Sequence, residues 1–458
     1  MYNLNDTIAA IATPSGKGAI GVIRISGNEA IEIADKIFSA KSGIKLSEMK
    51  GYSVSLGEVE IAESPVRDTC IALLFRAPKS YTGEDVVEFQ CHGGPVVVEA
   101  LLRGILDIGA RMAWAGEFTK RAFLNGRISL TEAEGIAEII SAASKSGQRA
   151  AYSQSKGNLH RETESIKDTI LSCQASIAAW IDFPEEDVEE VDEEELIEKI
   201  DGIEKSLKKL ISSYEVGLHI LRGIPTAIIG SPNVGKSTLM NLISGYEKAI
   251  VTPVAGTTRD VLEHSVTLGG TTLILADTAG IRYSDDFVER EGVNRSIDRI
   301  KSSSLILAVF DSSRKLADDD IEIIKKLKDK KAIAIVNKTD LKQKMDFEEY
   351  EELFEETIYI TAKDKSSLQA IDKAVSKVIG IDDFESDAPI ITNERQRSAA
   401  VKVLNVICEC KKTLLSGLTL DVVYALLDEA LSAVMELSGE NVSEAVIDRV
   451  FEDFCVGK

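Results

Sequence analysis

The chain has 458 residues, 44% of them hydrophobic: enough for substantial cores and too long for one ordinary domain, so two to four domains are expected. A formal net charge of −22 argues against a protein that binds nucleic acid through its own overall field; a nucleic-acid substrate would need a partner or a local patch, and the charge otherwise serves solubility. The six cysteines (Cys70, Cys91, Cys173, Cys408, Cys410, Cys455) form no C-x-x-C, Met1–Asp6 has no basic n-region and no apolar run approaches spanning length, so a reduced, cytoplasmic protein without a membrane span is expected.

Residues 1–125 read as an α+β unit. Val22-Ile23-Arg24-Ile25-Ser26 alternates as a strand does, and Ile71–Phe75 and Asp85–Phe89 predict two more. Turn signals sit at Thr13-Pro14-Ser15-Gly16, Tyr81-Thr82-Gly83-Glu84 and His92-Gly93-Gly94-Pro95, and Val96–Leu106 has helical periodicity. Arg24 and Glu88 are charged residues on strands; by residue type alone an ordinary ion pair accounts for them. His92, in its Gly-Gly turn, is either a structural or a catalytic histidine.

Residues 126–217 turn helical and acidic. The run from Phe183 to Glu195 reads as a solvated loop and a helix start favoured by the dipole. Leu196, Ile200, Ile203, Leu207, Leu210 and Tyr214 then repeat at 4-3-4-3-4 spacing, the stripe of a helix that packs on other helices.

Residues 218–382 hold the clearest motifs, with six strand candidates alternating with helices as in a doubly wound α/β fold. Gly230-Ser231-Pro232-Asn233-Val234-Gly235-Lys236-Ser237 fits G-x-x-x-x-G-K-[ST], between the apolar run Thr226–Ile229 and a helix start at Thr238. The glycines let backbone N–H groups close on phosphates, and the helix N-terminus adds positive dipole. Lys236 would reach the β- and γ-phosphates and the Ser237 hydroxyl would bind Mg²⁺. Thr257 and Thr258 lie where a switch threonine supplies a second Mg²⁺ ligand. Asp277-Thr278-Ala279-Gly280 follows the strand Thr272–Ala276; its Asp would hold Mg²⁺ through water and its Gly N–H would meet the γ-phosphate. Asn337-Lys338-Thr339-Asp340 follows the strand Ala332–Val336 and is the guanine-reading N-K-x-D, because a carboxylate accepts two N–H donors that adenine lacks as a pair. Thr361-Ala362-Lys363 follows Thr357–Ile360, where the last base contact of a GTPase falls. The motifs in this order identify guanine nucleotide plus Mg²⁺ as the ligand.

The residue after Gly280 is Ile281, which can neither donate to nor accept from an attacking water. Glu289, further along the same segment, is either a carboxylate that holds this water or a solvent-facing helix residue. Charge on the transferring phosphate would be met by an arginine from a partner or by a monovalent cation. For the cation, Asn233 offers a side-chain carbonyl and the loop Thr252-Pro253-Val254-Ala255-Gly256-Thr257 offers backbone oxygens, a set that suits K⁺. After 383 helices return; Val423, Leu427, Ala430, Val434 and Leu437 repeat at 4-3-4-3 spacing and are expected to pack against the 126–217 helices, leaving the 218–382 domain as an insertion.

Beyond these GTPase motifs, the chain resembles the MnmE (TrmE) family of tRNA-modification GTPases over essentially its whole length. The resemblance is carried by Asp6-Thr7-Ile8-Ala9-Ala10, Arg24-Ile25-Ser26-Gly27, Tyr81–Asp85 with Glu88 and His92–Pro95, and Gly116–Gly126. It continues in Ile181-Asp182-Phe183-Pro184, Gly256-Thr257-Thr258-Arg259-Asp260 and the terminal Cys455-Val456-Gly457-Lys458. It implies a multidomain α+β and α/β chain: an N-terminal folate-binding-like domain that dimerises (1–125), a central helical domain (126–217 plus 383–458) and an inserted Ras-like P-loop GTPase domain (218–382). It implies a homodimer that binds a tetrahydrofolate derivative, 5,10-methylene- or 5-formyl-tetrahydrofolate, as one-carbon donor through Arg24, Glu88, Arg127 and Lys458. A carboxylate such as Glu88 suits pterin N–H donors, and Arg or Lys suits the glutamate tail. The resemblance further implies an FAD-containing partner, the MnmG (GidA) protein, which supplies flavin chemistry and most of the tRNA contact. Together they would add an aminomethyl or carboxymethylaminomethyl group to C5 of a wobble uridine. GTP domains of the family dimerise with K⁺, whose positions match Asn233, Thr252, Val254 and Thr257; Glu289 matches the water-holding position, and Ile281 fits the family's apolar residue there. Thr361 replaces the usual Ser and keeps the hydroxyl. Cys455 matches a cysteine considered as a nucleophile, with a structural role beside folate as the other reading. A competing reading is a regulatory GTPase of the ribosome-assembly or stress type, whose N-terminal domain is a binding module.

Overall fold

The structure, a computed structural model, describes residues 6–61, 65–142, 144–182, 192–245, 264–275, 300, 303–328, 330–380, 388–452 and 454–458. The chain divides into two compact units: Met1–Ala137 with Thr163–Asp168 and Leu431–Lys458, and Glu138–Glu162 with Thr169–Ala430.

In the first unit the elements run β1 (Ile8–Ile11), β2 (Ile20–Ser26), α1 (Ala30–Ile37), β3 (Phe38–Ala40), β4 (Ser53–Glu60), β5 (Arg67–Phe75), β6 (Val86–His92), α2 (Pro95–Asp107), β7 (Arg111–Met112) and α3 (Glu117–Leu124). The strands form a seven-stranded sheet in the order β3-β4-β5-β6-β2-β1-β7, antiparallel except for the β1–β7 pair. The three strands and the helix expected here all form, each extended by a few residues. Ile23, Ile25 and Phe89 enter one core with Ile33, Leu101 and Ile105 of α1 and α2. Side chains alternate along a strand, so Arg24 and Glu88 point to the other face. The register pairs Arg24 with Glu88 directly across β2 and β6, and Arg24 with Ala10 of β1. A small cluster of Ile8, Ala10, Ala113 and Phe118 covers that second face beside them.

Four helices follow: α4 (Leu130–Ser141), α5 (Lys145–Ser155), α6 (Asn158–Asp182) and α7 (Glu193–Arg222). Asp192 caps α7, its carboxylate accepting from the Glu194 and Glu195 N–H groups, and three glutamates fill the positive first turn. The apolar stripe of α7 is the expected one: Leu196, Ile200, Ile203, Leu207 and Leu210 are buried, and the Tyr214 hydroxyl donates to Glu394 at 3.0 Å. The last residues before Asp192 fall among Phe183–Val191, outside the described residues.

Next come β8 (Ile224–Ile229), α8 (Lys236–Ser244), β9 (His264–Leu268), β10 (Thr271–Leu275), β11 (Leu305–Asp311), α9 (Asp318–Lys326), β12 (Ala332–Asn337), β13 (Glu356–Tyr359) and α10 (Ser367–Ile379). The six strands lie in the order β13-β12-β11-β8-β10-β9, parallel except for the β9–β10 hairpin. Both faces are covered, one core holding Leu239, Ile243 and Ile371, the other Ile324, Phe347 and Phe354. Buried on both sides, β11 and β12 read as continuous apolar runs rather than alternating ones. The chain ends in α11 (Glu394–Leu415), α12 (Leu420–Ser438) and α13 (Glu444–Glu452). α11 lies along α7, with Lys411 paired to Asp201 and Glu204. The chain just before α11 passes close to Gly217 of α7, where a Cβ would sit 2.7 Å from the Ile391 carbonyl oxygen. Val423, Leu427, Ala430, Val434 and Leu437 of α12 are all fully buried.

Candidate functional site

Parallel strands place their C-terminal ends, and the loops that follow, along one edge, and the strand order reverses about β8. The loop after β8 is the phosphate-binding candidate. Gly230 (φ +153°) and Gly235 (φ +107°) take conformations that side chains rarely adopt, and Asn233 sits at φ +61°. Space forbids a Cβ at both glycines: it would lie 2.4 Å from the Val309 carbonyl oxygen at Gly230, and 2.3 Å from Asn337 Nδ2 at Gly235. Ser231 anchors the loop from below through a buried hydrogen bond to Asp320 at the start of α9.

Lys236 opens α8 and folds back over the loop, donating to the Gly230 and Ser231 carbonyls at 2.8 Å each. Burial holds its pKa below the ordinary lysine range, with the charge of Asp320 opposing. Among the described residues the hydrogen bonds of this partly buried ammonium go to carbonyl oxygens, an arrangement that an anionic group would complete. Ser237 and Asn233 are exposed beside it, and Thr238 is half-buried. The residues therefore fit a phosphate, with the Ser237 hydroxyl open to a metal ion.

The base-reading motifs join the same edge. Asn337, at the end of β12, is 3% exposed and used for bracing: its Nδ2 donates to the Val234 carbonyl at 2.9 Å, and its Oδ1 accepts from the Ala362 N–H at 2.9 Å. One amide thus ties the phosphate loop, the N-K-x-D segment and the Thr361-Ala362-Lys363 segment together. Lys338 (φ +65°) donates to the Asn233 carbonyl at 2.8 Å and to Asp311 at 2.6 Å. Thr361 shares a 2.9 Å hydrogen bond with Thr339 and reaches Asp340 at 3.5 Å. Asp340 and Lys363 remain exposed, with the Asp340 carboxylate available to a ligand. Sequence reasoning missed Asp311, the last residue of β11; its position at a parallel strand's C-terminal end was the available signal. Burial pushes the Asp311 carboxyl up, but hydrogen bonds from Lys338 and Ser313 outweigh this and hold it below the ordinary range.

Thr252, Pro253, Val254, Ala255, Gly256, Thr257 and Thr258 lie outside the described residues, as do Asp277, Thr278, Ala279, Gly280, Ile281 and Glu289.

A second candidate site lies in the first unit. Arg24 and Glu88 meet at 2.7 Å, both about four-fifths buried. The guanidinium is flanked by the rings of Tyr81 and Phe118, each centroid 5.4 Å away. Its Nη1 donates to the Gly457 carbonyl at 3.4 Å, so the C-terminal tail is seated over the pair. The tail is held by the Ala115–Val456 bridge and by the Phe118 N–H, which donates to the Lys458 carbonyl at 3.2 Å. Gly457 (φ +96°) is required there, since a Cβ would stand 2.4 Å from the Ile11 carbonyl oxygen. Arg127 is exposed and packs its stem on the Tyr81–Glu84 turn, 3.3 Å from where a Gly83 Cβ would be. Arg24, Glu88, Arg127 and the chain end thus share one region, and the Cys455 and Lys458 side chains are exposed beside it. His92 lies at the far end of β6 and pairs with Asp68, Nδ1 to Oδ1 2.6 Å.

The tail's seat rests on a charge web around Arg121, which is 1% exposed. It bonds Asp6 at 2.7 Å, Glu84 at 3.1 Å and Glu117 at 3.1 Å, while Arg111 bonds Asp6 at 2.7 Å and Glu117 at 2.6 Å. Residue types gave no hint that this arginine would be internal; three carboxylates and the Asp6 carbonyl make that burial tolerable.

Two family models cover nearly the whole chain. The one described as GTP-binding protein TrmE N-terminus matches residues 7–127, and the one described as MnmE helical domain matches residues 130–455. A protein of Alkaliphilus oremlandii named tRNA modification GTPase MnmE is 39% identical, covering 100% of both chains. Relatives of the same name are 38% identical in Clostridioides difficile, over 99% of this chain and 100% of theirs, and 40% identical in Caldicellulosiruptor saccharolyticus, over 99% of both. Matched from end to end at this identity, and carrying the phosphate and base-reading loops on one sheet edge, the chain belongs to the MnmE family of tRNA modification GTPases.

Proposed function

We propose that this chain is the GTP-hydrolysing subunit of a complex that modifies C5 of the wobble uridine in tRNA, acting with a flavin-bearing partner and a folate one-carbon donor. The observation that carries the GTP half is the Asn337 brace, which fixes the phosphate loop and both base-reading segments relative to one another. Preorganisation of this kind lets Asp340 read guanine without first ordering its surroundings. Lys236 exchanges its carbonyl contacts for phosphate oxygens, and Ser237 and Thr258 hold Mg²⁺, which supplies charge neutralisation at the phosphates. Asn233, with the backbone of Thr252, Val254 and Thr257, holds K⁺ when two such domains meet, and Glu289 positions the attacking water.

The folate half is supported by the Arg24–Glu88 pair and the tail above it. Glu88 accepts pterin N–H groups, Arg24 lies over the Tyr81 ring, and Arg127 and Lys458 meet the anionic tail. The protein acts as a cytoplasmic homodimer joined through its N-terminal domain, with FAD on the MnmG-type partner and tRNA held largely by that partner. We assign 1–125 to the folate domain, 126–217 plus 383–458 to the helical domain and 218–382 to the GTPase domain. Cys455 is assigned beside the folate site, with a nucleophilic role as the alternative.

The test is nucleoside mass spectrometry of bulk tRNA from cells lacking the gene, complemented with wild type or with a Lys458-deleted form. Loss of C5-modified wobble uridine, restored only by wild type, is expected. Unchanged nucleosides in the deletion strain would instead favour a regulatory GTPase.

A further inference from the structure

Between Ser141 and Arg161 the chain has no Asp or Glu, although 75 acidic residues are spread over the rest. The same stretch holds Lys145, Arg149, Lys156 and Arg161. Lys145, Arg149, Tyr152 and Lys156 follow at 4-3-4 spacing, so α5 and its C-cap residue Lys156 carry them as one stripe. Its other side is bound to the fold: Ala150 and Ala151 pack with Ile220, Leu221 and Ile390. Gly147 approaches so closely that a Cβ would lie 2.8 Å from the Ile220 carbonyl oxygen, and Ser144 donates to that oxygen at 3.1 Å. The cationic stripe therefore faces outward on a fixed helix. All four cations are exposed, and among the described residues none of them forms an ion pair.

The stripe borders a cleft of about 540 Å³ lined by Tyr152, Lys156, Asn158, Arg161, Glu162 and Pro389. Tyr152 is 51% exposed at its wall, with the Lys156 ammonium 5.2 Å from the ring centroid. Arg161 is aimed by hydrogen bonds to the Lys156 carbonyl, at 2.8 Å, and to Asn158. An exposed ring among exposed cations suits a chain with flat bases and a phosphate at each step. In a molecule of charge −22, a local stripe of this sign is also what an RNA partner requires.

We propose that the α5 stripe and its cleft are this chain's own RNA-binding surface, taking the phosphate backbone of tRNA on Arg149, Lys156 and Arg161 and an unpaired base on Tyr152. The inference rests on the tRNA-modification reading above and adds where this subunit itself touches the substrate.

The test uses the full-length protein with unmodified tRNA transcript, with affinity read by fluorescence anisotropy across roughly 50 to 200 mM salt. The triple variant Arg149→Ala/Lys156→Ala/Arg161→Ala is expected to bind at least about tenfold more weakly at low salt, with the slope of log K against log salt reduced by about two to three. Tyr152→Ala is expected to lose about fivefold or more with the slope unchanged. Arg149→Lys/Arg161→Lys keeps the charge and is expected to bind within about twofold of wild type. GTP hydrolysis is expected to be unchanged in all variants. Wild-type affinity and slope in the triple variant would overturn the proposal. So would variants that bind tRNA normally but lose the flavoprotein partner, which would make the stripe a contact for an acidic protein. Deletion-strain tRNA with normal wobble nucleosides would remove the modification reading while leaving an RNA-binding stripe; lost modification with no effect of the variants would remove this inference alone.

Discussion

At the scale of single residues, the guanine site separates bracing from reading. Asn337 is buried and satisfied at both ends of its amide, whereas Asp340 is exposed and, among the described residues, held by one long contact to Thr361. Asp340→Asn should therefore leave the loop in place and change only the base preference. A charge-assisted pair is worth about 1.5–3 kcal/mol, so affinity for GTP should fall about tenfold to hundredfold. Affinity for xanthosine triphosphate, whose base offers the complementary pattern, should rise; equal losses for both nucleotides in a titration would show that Asp340 does not read the base. Glu289→Ala should lower kcat about a hundredfold or more while nucleotide affinity stays near normal, as expected of a water-positioning carboxylate. An unchanged single-turnover rate would remove Glu289 from the mechanism.

At the scale of elements, close backbone approaches decide which segments sit together. The tail depends on Gly457, whose positive φ and 2.4 Å clearance to the Ile11 carbonyl oxygen exclude any side chain. Gly457→Val should unseat the tail, at a cost of about 1–3 kcal/mol, and weaken folate binding about tenfold. GTP hydrolysis in the same preparation should be unaffected. Calorimetric titration with a tetrahydrofolate derivative checks this, and wild-type affinity in the variant would mean that the tail is no part of that site. The two neighbouring rings matter too: burial pushes the Tyr81 phenol up, partly offset by its Thr119 hydrogen bond and by Arg24, so it stays neutral as a flat wall for the guanidinium.

At the scale of the whole molecule, the carboxylates in charge webs set the response to acid. Asp6 is pushed up by burial, but Arg111 and Arg121 outweigh that and leave its pKa lowered; Asp311 is lowered in the same manner by Lys338 and Ser313. A carboxyl with a folded pKa below its unfolded value binds fewer protons when folded. Its stabilisation is full above the ordinary carboxylate pKa and is lost as pH falls through the lowered folded value. Stability should thus be flat near neutrality and decline below about pH 4. Asp6→Asn should be less stable at neutral pH and show a shallower acid decline, measured by denaturant unfolding at a series of pH values. An acid decline as steep as wild type would place the titrating group elsewhere.

What the sequence determined by itself was local. The loop Gly230–Ser237 was legible because strand, turn and helix signals adjoin within a dozen residues, and the α7 stripe because 4-3-4 spacing repeats along one helix. The C-terminal ends of β12 and β13 were legible because apolar runs stop at them. Tertiary structure alone decided what lies far apart in the chain. Asn337 reaches Val234 across 103 positions, Arg24 meets Glu88 across 64, and Gly457 closes on Arg24 across 433. Residue type suggested an ion pair for Arg24 and Glu88, yet only the antiparallel register of β2 and β6 sets them face to face. Arg121 looks like any helix arginine until the fold surrounds it with Asp6, Glu84 and Glu117. The physical reason is common to all of them. Periodicity and turn chemistry act over a few residues, whereas register, burial and close backbone approach depend on segments whose meeting no short stretch encodes.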